Sequence, residues 1–288
     1  LVTGRRRVVE PGEAKPAGNS GCMNMKKATG ILTITAVLQI GADVYCDTHN
    51  IARCLAEQGA AEALFPDECE ARAMLLAQWV DQTLFPLVVR VVITNALDEA
   101  PPEFIQDRGD LYFGAHWTPE KLKEELPGVI VQLSSALAEL ESSINANAFA
   151  MSSTRPSYAD ASIAYLLWFI HGRWDEGPQM AARFPKLTRI ASTMEAIGQG
   201  EYDEVNAHDA LDLARAHTPI SPQGVVSESP LTLGQRVSIQ PFVDSSDPAV
   251  EGTLRYLDVT RVSIDVENDT VGHVAVHFPV GGYQISAV

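Results

Sequence analysis

The feature that most constrains the fold is an abrupt change in hydrophobic periodicity near residue 230. Between residues 66 and 216, apolar side chains recur every three or four residues, which is the spacing of amphipathic helices. After residue 230 they alternate in steps of two, which is the spacing of half-buried strands. The segment 217–230 between them carries prolines, serines and a glycine, as a linker does. The pattern therefore predicts an all-helical domain over 64–216 and a β module over 231–288.

Turn signals divide the β module into short strands. They fall at Asp244–Pro248, at Asn268-Asp269 and at Gly281-Gly282. About five short strands in about 60 residues favour a small antiparallel barrel-like module.

One helix of the helical domain has a clear start signal. Ser157 and Asp160 have the spacing of a capping box, with Asp where Glu is usual. The apolar run from Ile163 to Ile170 follows, and a helix that is apolar on nearly all sides belongs at the centre of a bundle. Trp168, which lies in this run, is therefore expected in the core.

The first 60 residues differ from the rest of the chain. Residues 1–30 combine three arginines with many prolines and glycines and few large apolar side chains, which predicts an irregular or disordered segment. Residues 31–60 favour an extended segment, a turn at Gly41-Ala42, a second extended segment and a helix. Asp47 or Thr48 can cap that helix.

Composition excludes several classes of function. The formal net charge of −16 argues against a nucleic-acid partner, because phosphate backbones are bound by clustered Lys and Arg. The sequence shows no uninterrupted apolar run of the about 20 residues that a membrane span needs and no secretory signal, so we expect a cytoplasmic protein without a membrane partner. The four cysteines and seven histidines lack metal-site spacing, so no metal is expected.

Two stretches resemble the glutathione S-transferase family. Residues 36–48 are similar to the second half of the family's thioredoxin-like domain, and Pro156 to Asp160 to the capping box of its buried helix. Leu64-Phe65-Pro66 and the segment 184–187 also fit, so the resemblance covers about residues 35–200. It implies an α+β multidomain fold: an incomplete thioredoxin-like hairpin–helix unit over 31–60 and an all-α C-terminal bundle, with the β module as an addition.

The resemblance also implies a binding site for glutathione as co-substrate. Asp47 and Thr48 occupy the place of the family's acidic-residue–Ser pair, and Thr35 the place of the residue whose backbone pairs with the cysteinyl part of glutathione. The chemistry is consistent, because a carboxylate can pair with an ammonium and a helix N-terminus favours a carboxylate. The alternative is that Asp47 and Thr48 only cap the helix.

A catalytic residue is not identified. The family places its catalytic Ser, Tyr or Cys in a strand–helix–strand unit of about 50 residues, whereas only 34 residues precede Thr35 and they lack that pattern. Ser20, Cys22 and Thr3 have suitable chemistry but no amphipathic helix behind them. We therefore expect a glutathione S-transferase-like protein with impaired activity. The alternatives are a non-catalytic binding or scaffold protein and a chain whose first 34 residues come from a shifted reading frame.

The remaining expectations concern partners. The resemblance implies a small apolar electrophile as second substrate and allows a homodimer. The possible walls of an apolar pocket in the helical domain are aromatic: Trp79, Tyr112, Trp117, Trp168 and Trp174. In the β module, His277 and Tyr283 either face a ligand or are buried with satisfied side chains.

Overall fold

The computed structural model describes most of the chain after residue 35. The described residues are 36–114, 116–198, 200, 203, 205–226, 228–242 and 248–288, without the side chain of Asn268. The expectations for residues 1–30 and for Thr35 therefore lie outside the described residues. The chain forms two compact units. We call them the sheet unit (the described residues within 36–54 and 203–288) and the helical unit (the described residues within 55–200).

In the described residues, the sheet unit contains strands and two helices from two separate parts of the sequence. In chain order these are β1 (Val37–Ile40), β2 (Asp43–Cys46), α1 (Thr48–Leu55, whose last residue belongs to the helical unit), α10 (Ala207–Arg215), β3 (Gly224–Val225), β4 (Arg236–Pro241), β5 (Val250–Leu257), β6 (Arg261–Asn268), β7 (Gly272–Pro279) and β8 (Tyr283–Ala287). The hairpin, the helix after it and the five strands β4 to β8 all match the sequence predictions.

The hairpin and the C-terminal strands share one sheet. The strand order is β1-β2-β7-β6-β5-β4-β8, with β3 paired beside β5. Neighbours on this path are antiparallel except β2 and β7, which run parallel with Tyr45 opposite His277. The sequence predicted the two segments as separate modules and the second as barrel-like. The structure joins the two segments in one sheet, whose path of described strands runs from β1 to β8.

Helix α10 packs on the hydrophobic core of the sheet unit. Alternate residues of β6 and β7 are completely buried, and the helix adds Leu211 and Ala214 to the same cluster. The Gln39 amide donates to the carbonyl of Ala210 at 2.9 Å, which ties the helix to the hairpin. The prediction that the helical domain runs to residue 216 is therefore corrected, because the narrow apolar face of this helix fits the sheet.

The helical unit contains the remaining helices. They are α2 (Ala61–Leu64), α3 (Glu70–Trp79), α4 (Phe85–Ala96), α5 (Pro102–Phe113), α6 (Pro119–Ser143), α7 (Tyr158–Arg173), α8 (Gly177–Ala181) and α9 (Pro185–Ile197). Helices α3 and α4 are joined through a wide turn at Val80–Leu84 and form one helical stretch. By length and composition alone, Glu70–Ala96 is apolar enough to cross a membrane, a property that buried core helices of soluble proteins share.

Helix α7 lies at the centre of this unit, as predicted. Ile163, Leu166 and Ile170 are each 1% exposed. The Asp160 side chain is fully buried and accepts hydrogen bonds from the amide and hydroxyl of Ser157, at 2.8 and 2.7 Å. It also accepts from the Ala150 amide at 2.8 Å, so the capping box fixes the preceding loop as well.

The expectation that Trp168 is a core residue is wrong. Its side chain is 58% exposed, and the Arg173 guanidinium lies 5.5 Å from its ring centroid. The apolar run gives no indication of which residue faces outward, because nearly every position in it is hydrophobic. Partial shielding by the arginine lets this ring remain at the surface.

A strained turn precedes α3. Asp67 and Glu68 have φ values of 57° and 55°, and the amide of Cys69 donates to the Pro66 carbonyl at 3.2 Å. Two consecutive left-handed residues with a Cβ atom cost about 1–2 kcal/mol each. The Asp67 carboxylate accepts from the Ser152 hydroxyl at 2.6 Å, a contact that holds the turn in place.

Replacing the buried capping carboxylate tests its contribution. We expect Asp160→Asn to lower the free energy of unfolding by about 3 kcal/mol, because the new amide group presents its own donors to groups that already donate. The measurement is urea denaturation followed by circular dichroism. The exposed Asp98→Asn is the matched control and should stay within about 0.5 kcal/mol of the parent. An equally small effect of Asp160→Asn would contradict the role assigned to it.

Relieving the strained turn should stabilise the protein. We expect Glu68→Gly to raise the free energy of unfolding by about 0.5–1 kcal/mol, since glycine adopts positive φ without steric cost but loses more entropy on folding. Glu68→Ala keeps the Cβ atom and serves as the control, with no stabilisation expected. The measurement is thermal unfolding of Glu68→Gly and Glu68→Ala. Equal melting temperatures of the two variants would rule out backbone strain at residue 68 as a source of instability.

Candidate functional site

The first turn of α1 contains the two predicted site residues that the structure describes. Asp47 connects β2 to the helix with φ 74°, a conformation that non-glycine residues rarely adopt. Its carbonyl accepts from the Ile51 amide at 2.9 Å, and its Oδ1 accepts from the His49 amide at 2.8 Å. Asp47 therefore caps the helix.

Thr48 is the first residue of the helix and its side chain is exposed. The Asp47 carboxylate beside it is half-buried. An exposed hydroxyl, a carboxylate and the start of an α-helix thus meet at one edge of the sheet unit. Thr35, the third predicted site residue, lies outside the described residues.

The C-terminal strands contribute a further group to this place. The hydroxyl of Tyr283, at the start of β8, donates toward Oδ2 of Asp47 across a distance of 3.5 Å. The Tyr283 ring packs against Phe278, with 5.5 Å between ring centroids. The sequence left open whether Tyr283 faces a ligand, and its partial exposure keeps it accessible at this edge.

Behind the helix start lies a buried chain of polar side chains. His277 on β7 is within 3.0 Å of Asp43 Oδ1 through Nε2 and within 2.6 Å of Ser263 Oγ through Nδ1. All three side chains are buried, with exposures of 0%, 1% and 1%. The His277 ring also stacks on Tyr45 at 4.3 Å between centroids. Of the two outcomes considered for His277, the structure supports a buried, satisfied side chain.

Asn50 connects this chain to α1. Its amide nitrogen donates to the His277 carbonyl at 2.9 Å, and its oxygen accepts from Arg261 Nε at 3.0 Å. The Arg261 guanidinium lies 5.4 Å from the Tyr45 ring centroid. The helix that begins at Asp47 is therefore fixed to β6 and β7 by hydrogen bonds as well as by packing.

The protonation states follow from the surroundings. Burial alone would raise the pKa of Asp43, but hydrogen bonds from His277, Ser221 and the Ile220 amide outweigh it and lower the pKa. Burial lowers the pKa of His277 and exceeds the opposing effect of Asp43. At neutral pH an ionised Asp43 can only accept, so Nε2 of a neutral His277 donates to it and Nδ1 accepts from Ser263.

The arrangement Asp43–His277–Ser263 has the connectivity of a serine hydrolase triad. Hydrolysis requires that the hydroxyl reach a substrate carbonyl, yet Ser263 is 1% exposed. The three residues therefore act as a structural network that holds β2, β6 and β7 in register.

The described cysteines are not activated nucleophiles. Cys46, Cys54 and Cys69 are buried and are not in disulfide bonds. Burial, aided by the charge of Asp47, raises the pKa of Cys46, and burial also raises that of Cys69. Activated thiols have the opposite property, a lowered pKa in a partly exposed site. Within the described ranges, no group of three or more His, Cys, Asp or Glu side chains could hold a metal ion.

The aromatic residues proposed as pocket walls fall into two clusters of the helical unit, one with Tyr112 and Trp117 and the other with Trp79 and Trp174, while Trp168 is exposed. Trp174 is 7% exposed and belongs to the core, whereas Trp117 donates from its ring nitrogen to Asp110 at 2.9 Å. Tyr112 packs edge-on against Phe85 at 5.6 Å. The structure thus assigns Trp174 to packing.

Comparison with known proteins supports the resemblance. The chain is similar to the solved structure of a GST-like protein from Pseudomonas syringae, with 26% identity over 98% of this chain and 90% of that chain and a TM-score of 0.68. The chain therefore has the fold of that GST-like protein. No protein-family model matches the sequence, and no curated protein matches it. The likeness to that structure extends over nearly the whole of this chain, the C-terminal strands included.

Sequence reasoning missed most of the buried network. His273 and His277 lie four residues apart on β7 and share one face of the strand, and His273 Nε2 lies 2.9 Å from Asp265 Oδ1. Polar residues at 263 and 265 alternate in the same way on the neighbouring strand. These two patterns could have indicated a polar stripe across two strands. Asp43 and Asn50 carry no such signal, because their partners are more than 200 residues away.

The buried histidine makes stability depend on pH. Because the pKa of His277 is lower in the folded state, the unfolded chain binds more protons, and stability falls as pH drops below the unfolded value of about 6.5. We expect the melting temperature to fall between about pH 7.5 and about pH 5.5. The lowered pKa of Asp43 adds a further loss in the same direction at stronger acidity.

A pair of variants isolates this contribution. His277→Gln should flatten the pH dependence, whereas His208→Gln, which replaces an exposed histidine of the same unit, should leave it unchanged. Differential scanning calorimetry at both pH values supplies the comparison. If the melting temperature of His277→Gln depends on pH as strongly as that of the parent, another titrating group causes the effect.

Proposed function

We propose that this protein binds glutathione at the start of α1 and acts as a glutathione S-transferase-like protein on a small apolar electrophile. The observation that supports the proposal is the pairing of a half-buried Asp47 carboxylate with an exposed Thr48 at a helix N-terminus. These are the positions that the family resemblance indicates for the γ-glutamyl group.

The chemistry of each group matches one end of that γ-glutamyl unit. The Asp47 carboxylate suits the ammonium, since charge-assisted hydrogen bonds are about twice as strong as neutral ones. The Thr48 hydroxyl and the N-terminus of the helix suit the carboxylate, because the helix dipole favours an anion there. An anion and a cation placed side by side on the ligand thus face complementary groups on the protein.

The capping role of Asp47 is compatible with binding. Oδ1 is engaged with the His49 amide, while Oδ2 faces Tyr283. An ionised carboxylate offers about four acceptor positions, so one oxygen can cap the helix while the other accepts from an ammonium. The positive φ at Asp47 is a strain of the kind that concentrates at ligand-binding positions.

A second candidate function is glutathione binding without conjugation. It is favoured by the state of the thiols, because the three cysteines in the described part of the chain are buried, and burial raises the pKa of two of them. Conjugation requires a donor that stabilises the glutathione thiolate. The two functions differ in turnover but share the binding site.

Removing the charge of Asp47 tests the site. We expect Asp47→Asn to weaken glutathione binding at least about tenfold in calorimetry, because the charge-assisted contact is lost. Asparagine is a good helix cap and tolerates positive φ, so stability should change by less than about 1 kcal/mol. Asp209→Asn, in the first turn of α10, is the matched control and should bind like the parent. Undiminished binding by Asp47→Asn would reject this site.

Turnover separates the two candidate functions. Glutathione and a chromogenic aryl halide are incubated with the parent and with Asp47→Asn, and thioether formation is followed by absorbance. Conjugation that depends on Asp47 supports the transferase. Calorimetric binding with a rate equal to that of the protein-free reaction supports the non-catalytic function.

A further inference from the structure

The C-terminal strands place Tyr283 rigidly beside the candidate site. Tyr283 begins β8 and pairs with Pro241 of β4, and its ring packs on Phe278 of β7. The preceding Gly282 has φ 88°, which lets the chain turn sharply between β7 and β8. Sheet pairing on one side and ring packing on the other limit the positions that the hydroxyl can occupy.

The hydroxyl lies beside Oδ2 of Asp47, at 3.5 Å, and the His49 amide lies beside Oδ1, at 2.8 Å. A strong O–H···O hydrogen bond measures about 2.5–3.0 Å, so this contact is long. Two oxygens at this separation can both lie within about 2.9 Å of one nitrogen placed between them.

We propose that Tyr283 is a second ligand-binding residue, which receives the α-ammonium of the γ-glutamyl group together with Asp47. This inference rests on the proposed function. The ammonium is a donor only, and a phenol oxygen is both donor and acceptor. Tyr283 can therefore accept from the ammonium while Asp47 Oδ2 provides the opposite charge. The C-terminal module then selects thiol peptides that carry a free α-amino group.

The test compares two ligands on two tyrosine variants. Tyr283→Phe keeps the ring against Phe278 and removes the hydroxyl. Tyr256→Phe, whose hydroxyl donates to Asp258 at 2.9 Å on another part of the same sheet, is the matched control. Calorimetry measures the binding of glutathione and of deaminoglutathione, which lacks only the α-amino group. Thermal unfolding verifies that both variants are folded.

The expected result is a loss specific to the amino group. Tyr283→Phe should weaken glutathione binding about tenfold and deaminoglutathione binding less than about twofold, since only the former contacts the hydroxyl. Tyr256→Phe should bind both ligands like the parent. Equal weakening of both ligands by Tyr283→Phe indicates a structural role and overturns the proposal, as does unchanged or tighter glutathione binding.

Failure of this inference is distinguishable from failure of the proposed function. If the parent binds glutathione and Asp47→Asn does not, while Tyr283→Phe binds like the parent, the site stands and the role of Tyr283 is rejected. If the parent does not bind glutathione, or Asp47→Asn binds equally well, the proposed site is rejected and the role of Tyr283 with it.

Discussion

The sheet unit depends on a single buried imidazole. His277 bonds to Asp43 on one side and Ser263 on the other, and so joins strands that are 234 residues apart in the sequence. Burying polar groups is costly unless each is paired, and a fully satisfied network favours one register over its neighbours. A slip of one residue between β2 and β7 would turn His277 to the opposite face and leave Asp43 without its partner. The network therefore determines how the hairpin pairs as well as whether it pairs.

This buried network also fixes the geometry of the candidate site. Asp43 and Asp47 lie four residues apart, one inside the sheet and one at the edge where α1 begins. Asn50, one turn into the helix, bonds to the backbone of the same histidine. The helix start is thus oriented by interactions beneath it, and its exposed groups need no support from the ligand. A rigid support of this kind lowers the entropy cost of binding.

Local sequence signals predicted the local structure well. The capping box at Ser157 and Asp160, the hairpin around Gly41-Ala42 and the five C-terminal strands follow from turn chemistry and periodicity, which act over a few residues. The parallel pairing of β2 with β7 could not be predicted in this way, because nothing near Asp43 encodes a partner at His277. The site shows the same division. The resemblance indicated Asp47 and Thr48, and the sequence named Tyr283 as a possible ligand-facing residue. The position of Tyr283 beside Asp47 follows only from the sheet.

The arrangement of the sheet unit has a consequence for synthesis on the ribosome. Its first strands emerge early, and the 234 residues between Asp43 and His277, which contain the entire helical unit, must be translated before β7 can pair with β2. At typical elongation rates this interval lasts roughly 10–50 s. During that time the hairpin has an apolar face and a strand edge that its eventual neighbour does not yet cover, so the nascent chain passes through a stage at which chaperones and competing chains have access to it.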